Sequence, residues 1–296
     1  MKRSRGEKIF NVFNILLLTA FGTLVMIPVL YILKRSLDVG AVTSGITLLP
    51  DELSFIYYEM VLKDKGIYGP LLNTIFITVV GTALSLAVNS LAAYPMSRSD
   101  MPFRRFFVGY LVIIPMLFSG GVVPTFLVYK QLGLLSTLAV YILPALASGW
   151  NIVLIRNYYK GIPDGLVESA SIDGANEFQV YCKIILPLSK PVMAAIALFT
   201  GIGFWNMFTP AIMYNSDPNK YTFAVKLREM VTVQEEMQRQ FEAVLGTSAF
   251  AIDGMTLNNE GLSSAMMIVS VIPILLIYPF VQKHFASGLM VGSIKE

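Results

Sequence analysis

Six mostly apolar stretches, at about 12–34, 71–94, 106–128, 138–158, 191–213 and 262–282, each reach the roughly 20 residues that a helix needs to cross hydrocarbon. Backbone N–H and C=O groups find no water in a bilayer core, so such stretches must satisfy them internally, and a helix does this within one segment. The expected fold is therefore all-α, a polytopic membrane protein with six transmembrane helices. Composition agrees: of 296 residues, 55% are hydrophobic and 14% charged, with a mean hydropathy of +0.65, too apolar for an ordinary soluble domain. Lys2, Arg3, Arg5 and Lys8 ahead of an apolar run mimic a signal peptide. The run continues past Gly22 through Leu30, so it reads as an uncleaved first helix.

An even number of spans places both termini on one side. The segments on that side carry Lys2, Arg3, Arg5, Lys8, Arg98, Arg104, Arg105, Arg156, Lys160, Lys183, Lys190, Lys283 and Lys295. The opposite loops hold Asp38, Asp51, Glu52, Glu59, Asp64, Glu229, Glu235, Glu236 and Glu242. The positive-inside rule puts both termini in the cytoplasm, with Lys34 and Arg35 as the one pair that argues otherwise unless they snorkel. The reading divides the chain into a cytoplasmic tail (1–11), a membrane domain (12–282) and a second cytoplasmic tail (283–296). Two external regions, 35–70 and 214–261, are long. Val231, Met237, Phe241, Val244 and Leu245 recur at broadly helical spacing in the second, which is either a cap on the bundle or a surface for an external protein.

Several function classes are excluded by what the chain lacks. A single cysteine, Cys182, and a single histidine, His284, give no disulfide framework and no Cys- or His-based metal site. A net charge of +3, in short clusters beside the spans, does not suggest nucleic acid. The span centres hold no ionisable residue, which disfavours an ion-coupled secondary carrier, the alternative reading. There is no G-x-x-x-x-G-K-[ST] phosphate loop either, so energy must come from another subunit.

The segment E-S-A-S-I-D-G-A-N-E-F-Q-V-Y-C-K-I-I-L-P, Glu168 to Pro187, is polar and helix-coding between two spans. Asp164 is placed to cap a first helix that carries Leu166, Val167 and Ala170 on one face and Glu168 on another. Gly174 suits the positive φ of a helix end. Asn176 and Gln179 have capping-box spacing at the start of a second helix, whose stripe Phe178, Tyr181, Cys182 and Ile185 is expected to pack on the membrane domain. Pro187 and Pro191 end the element and set the angle of the fifth span. Two helices joined at one glycine (164–187) form a lever whose outer face is open to a soluble partner.

Glu168, Ser169, Ala170, Gly174, Ile184, Leu186 and Pro187 resemble the E-A-A, three residues, G, nine residues, I-x-L-P pattern of the permease subunits of ATP-binding-cassette importers, with Ser169 the only departure. Ser90–Arg98 (S-L-A-A-Y-P-M-S-R) is similar to the end of the second span in carbohydrate-type permeases of the MalG kind. Gly120–Gly133 and Gly288–Lys295 are similar to the LplC-type branch, within which an alginate-oligosaccharide importer is a candidate match. The resemblance implies a type I importer permease fold in the bacterial cytoplasmic (inner) membrane. It implies a second homologous permease subunit, two ATPase subunits that bind ATP and Mg, and an external solute-binding protein delivering an oligosaccharide. The chain itself would hold no cofactor or metal and catalyse nothing. Coupling to the ATPases would fall to Glu168, Ser169, Ala170, Asp173, Gly174, Ile184, Leu186 and Pro187, with the C-terminal tail nearby.

Oligosaccharides are held by aromatic faces and polar side chains, and the spans offer Trp150, Asn151, Trp205, Asn206, Asn73 and Asn89 as candidates for the solute path. Aromatics at span ends also anchor helices at the interface, and buried Asn also bonds neighbouring helices.

Overall fold

A helix from Tyr68 to Ser97 carries Thr74, Ile77, Gly81, Ser85, Asn89, Ser90 and Ala93 fully buried along it. The buried set is rich in small and hydroxyl residues, the composition that lets membrane helices approach closely and bond across the seam. In this computed structural model, residues 5–39, 49–245, 250–252, 255–257 and 259–292 are described. The helices, in chain order, are α1 (Arg5–Leu37), α2 (Ile56–Lys63), α3 (Tyr68–Ser97), α4 (Arg104–Leu117), α5 (Val122–Gln131), α6 (Ala139–Ala145) and α7 (Gly149–Tyr159). There follow α8 (Asp164–Ile172), α9 (Glu177–Leu188), α10 (Lys190–Trp205), α11 (Thr209–Tyr214), α12 (Phe223–Leu245) and α13 (Asn259–Gly292).

Among the described residues three helices are long and apolar enough to cross a membrane alone, within α1, α3 and α13, and counting each of three bent pairs as one span brings the number to as many as six. The third expected span breaks between α4 and α5 with a 116° bend, the fourth between α6 and α7 with 44°, and α9 meets α10 at 77°. The fifth span is shorter than the 191–213 expected, because α10 ends at Trp205 and α11 begins at Thr209. Proline accounts for part of this. Pro115 and Pro187 each lie just after a π-helical stretch, Phe107–Ile113 and Tyr181–Ile185. A proline has no N–H to give and its ring crowds the carbonyl four residues earlier, so the preceding turn widens.

Breaks in a bilayer must have their freed backbone groups satisfied. At the α6–α7 break α3 supplies the partners. Asn89 donates through Nδ2 to the Leu146 carbonyl at 2.9 Å and accepts from the Ser148 N–H at 2.8 Å, and Ser85 donates to the same carbonyl at 3.1 Å. Ser148 then caps α7 by accepting from the Asn151 N–H. At the α9–α10 break the buried Ser189 donates to the Ile185 carbonyl at 2.7 Å.

The chain divides into two compact units. In the first (1–65 and 227–272), Lys34 and Arg35 do not snorkel: each is only 4% exposed, Lys34 pairing with Asp38 at 3.1 Å and Arg35 with Glu260. The sequence could not pair Arg35 with an acid 225 residues away. Tyr57 occupies the space where a side chain at Gly261 would lie, 2.3 Å from an added Cβ. Much of α1 is exposed along apolar side chains such as Phe13, Leu16 and Leu24, as suits contact with lipid or another chain. Phe250–Ile252 pairs antiparallel with Met255–Leu257, a short ladder in an otherwise helical fold. F-A-I-D-G-M-T-L carries the Asp-Gly signal for it, masked by the surrounding helical pattern.

In the second unit (66–226 and 273–296), α3 packs against α7 and α10. Close approach to α10 depends on Gly81, since a Cβ there would stand 2.7 Å from the Phe204 ring. One apolar cluster, around Ala93, Ile155, Val167, Val180 and Ile185, gathers the ends of α3 and α7 with α8 and α9. Another, around Ile77, Tyr141, Phe204 and Val225, holds the opposite end.

Replacing Asn89 by Leu is expected to strand the Ser148 N–H and weaken bonding to the Leu146 carbonyl, at about 1–3 kcal/mol for a group left unsatisfied. Thermal unfolding of the detergent-solubilised chain checks this; an unchanged Tm for N89L would count against the role of Asn89 in closing the break.

Candidate functional site

Pro163, not Asp164, stands at the N-cap of α8; Asp164 is its first residue, and its carboxylate faces Arg98 at 3.8 Å. A carboxylate there still complements the helix N-terminus. Val167 (3% exposed) is the anchor of α8 in the apolar cluster, with Ala170 packed beside it. Glu168, Ser169 and Asp173 are exposed, as are Leu166 and Ile172. At 86% exposure, Ile172 has almost no cover from its own chain.

The turn is a Schellman motif. Gly174 has φ +81°, its N–H bonds the Ser171 carbonyl at 3.1 Å, and the Ala175 N–H bonds the Ala170 carbonyl at 2.9 Å. Ala170 and Ala175 both lie against the cluster, where small side chains let the turn close. Residues 170 and 174 are thus tied by backbone geometry. Asn176 and Gln179 complete a reciprocal capping box, the Gln179 N–H donating to Asn176 Oδ1 at 2.9 Å and the Asn176 N–H to Gln179 Oε1 at 3.0 Å.

The inward face of α9 is Val180, Tyr181 and Ile185, with Cys182, Ile184 and Leu186 packed at its margin. Phe178, expected in that stripe, is 68% exposed instead. The π-helical turn from Tyr181 to Ile185 departs from the 3.6-residue period on which the stripe was drawn. Pro187 sits at the start of the last turn before the 77° bend.

A polar node unmarked by the sequence motifs joins this element to α3. The Ser90 hydroxyl shares hydrogen bonds with Tyr159 at 2.6 Å and Tyr181 at 2.7 Å, all three residues being buried. One turn on, the Tyr94 hydroxyl donates to Glu177 at 2.6 Å, and the Tyr94 ring lies 5.3 Å from that of Tyr181. Ser90 and Tyr94, four residues apart in an apolar helix, were the available signal. Arg156 donates to the Met96 carbonyl and Arg104 to the Arg98 carbonyl, covering the end of α3 with positive charge. Arg156, with lesser contributions from burial and Arg104, holds the neighbouring Lys160 ammonium below its ordinary pKa range.

The six solute-path candidates do not converge. Asn73 donates to the carbonyls of Asn219 (2.8 Å) and Tyr221 (3.1 Å), and Asn89 is engaged at the α6–α7 break. Trp205 is buried against Phe223 and lines an apolar cavity of about 350 Å³, whereas Asn206 is exposed at the end of α10. Asn151 lines a smaller pocket of about 260 Å³ with Ser148, Thr200 and Gly203, donating to Thr200 at 3.3 Å, and its neighbour Trp150 is 60% exposed. In 214–261, α12 forms as a helix, but the side chains of Met237, Phe241, Val244 and Leu245 lie outside the described ones. The last residues of the C-terminal tail, 293–296, lie outside the described residues, while α13 runs on through most of it to Gly292. Among the described residues no group of His, Cys, Asp and Glu is placed to hold a metal ion.

Residues 1–291 match the family described as binding-protein-dependent transport system inner membrane component. The polygalacturonan/rhamnogalacturonan transport system permease protein YtcP of Bacillus subtilis (strain 168) is 37% identical, covering 98% of this chain and 99% of its own. Protein LplC of the same organism is also 37% identical, covering 100% and 98%. A chain from the crystal structure of a bacterial ABC transporter involved in the import of the acidic polysaccharide alginate matches with a TM-score of 0.81 at 33% identity, over 96% of this chain and 99% of that one.

The turn geometry makes a specific prediction. G174V puts a β-branched residue into a left-handed conformation, costing about 1–2 kcal/mol or more. Amide exchange should quicken at Ala175 and in the last turn of α8; protection equal to wild type would contradict the strain.

Proposed function

The chain belongs to the family of binding-protein-dependent transport system inner membrane components, and from that premise we propose that it is one permease subunit of an ATP-driven importer, forming half of the path for an oligosaccharide delivered by an external binding protein. The names of two similar proteins support the solute class, one a polygalacturonan/rhamnogalacturonan system and the other an alginate importer. A binding-protein-dependent family leaves no support for the ion-coupled carrier.

The observation that carries the mechanism is the contrast between the two faces of α8. Val167 and Ala170 hold it to the bundle, while Glu168, Leu166 and Ile172 stand open. An acid flanked by exposed apolar side chains suits a charged contact within a partly apolar docking surface. We assign that surface to an ATPase subunit that binds ATP and Mg, Glu168 to the charged contact, and Gly174, with Asp173 beside it, to the fixed bend. Ser169 and Ala170 keep the turn small, while Ile184, Leu186 and Pro187 seat the second helix and return it to the membrane. A second permease subunit completes the path. Transport requires two states of the bundle that differ in their contacts to the ATPases and the loaded binding protein.

The cations Arg98, Arg104, Arg156 and Lys160 cluster near α8, and Lys34 and Arg35 are matched with acids, so both termini are assigned to the cytoplasm. In the solute path we place Asn151 and Trp150 ahead of Trp205 and Asn206, with Asn73 and Asn89 holding the path's walls.

Two experiments in reconstituted vesicles test this reading. E168K should lower ATPase docking and transport-coupled hydrolysis by about thirtyfold or more, as loss of a buried interfacial charge contact does, while membrane insertion is retained; wild-type coupling would refute the assignment of Glu168. Deleting the centre of 214–261 should abolish stimulation of hydrolysis by the loaded binding protein. Full stimulation would make that region a plain cap.

A further inference from the structure

We propose that Ser90, Tyr159, Tyr181 and Tyr94 with Glu177 form a polar joint that transmits displacement of α9 to α3, so that these are positioning residues for coupling. This rests on the importer reading above. The joint is built where an apolar seam would have sufficed for stability, since Ala93, Ile155, Val180 and Ile185 already pack around it. Apolar contacts tolerate sliding because they have no preferred direction, whereas hydrogen bonds weaken steeply with distance and angle. Ser90 lies on α3, Tyr159 at the end of α7 and Tyr181 in the π-helical turn of α9, so one buried hydroxyl fixes the register of three helices. The Tyr94–Glu177 bond adds a contact at the first residue of α9, directly after the capping Asn176.

Displacement of α9 alone would strand buried hydroxyls, which is costly, while displacement of α9 together with α3 and the end of α7 keeps every bond. The joint therefore favours concerted motion. α3 in turn carries Asn89 and Ser85 at the α6–α7 break and Asn73 at the external loop, so the same helix reaches from the proposed ATPase side to the region 214–261. That continuity is the route by which a push on α8 and α9 is felt across the membrane.

The test uses the whole importer in vesicles, comparing wild type with S90A, Y181F, the double variant S90A/Y181F and Y94F. Each removes hydroxyls and leaves the surrounding apolar packing. The readouts are hydrolysis with loaded binding protein divided by hydrolysis without it, and solute moved per ATP. S90A and Y181F should each lower both by about fivefold or more, the scale of a typical coupling energy. The double variant should be no worse than the more severe of the two, because they break a shared bond. A uniform fall in activity with both ratios preserved would mark a merely structural role and overturn the joint, as would ratios equal to wild type in assembled complexes. Should Y181F fail to assemble, Y94F decides by the same ratios. Wild type that is not stimulated at all by a binding protein would overturn the importer reading, and the joint with it.

Discussion

Backbone groups in hydrocarbon have no water to turn to, and this constraint determines where the chain is regular and where it is broken. Stretches that satisfy themselves become helices. Where a helix is interrupted, something nearby must replace the lost bonds, and α3 does this at the α6–α7 break through Asn89 and Ser85. The interrupted fourth span is thus supported by an uninterrupted helix. The same helix carries the buried polar side chains that tie it to α7 and α9, so the fold has a rigid strut with bent elements arranged on it.

The functional element follows from that arrangement. A free α8 of nine residues would be marginal as a helix in water. It persists because Val167 and Ala170 dock on the cluster, because Gly174 closes its end, and because the capping box starts the next helix at once. The residues left outside are those a partner would meet. Buried and exposed side chains therefore alternate along the segment: Val167 inward, Glu168 outward, Ala170 inward, Ile172 outward.

Much of this was legible because it depends on neighbours in sequence. Gly174 and the Asn176–Gln179 box were readable since a positive φ and a cap involve residues at most a few positions apart. Phe178 was misplaced because it lies two residues, a little over half a helical turn, before the buried Val180, on the side away from it. Lys34 and Arg35 looked anomalous for orientation because their partners, Asp38 and the remote Glu260, were not apparent in the pattern. The partners in the tyrosine node were unreadable for the same reason, its hydroxyls coming from positions 90, 159 and 181.

The sequence by itself determined that the chain spans a membrane as helices, where the polar segment bends, and which pattern of residues it offers to a partner. These follow from hydropathy and local backbone preference, which act over a few residues. The tertiary structure alone decided which spans are broken, that Asn89 closes the α6–α7 break, and which hydroxyls join α9 to α3. Those outcomes depend on hydrogen bonds between residues far apart in the chain, and only packing brings such groups within 3 Å of one another.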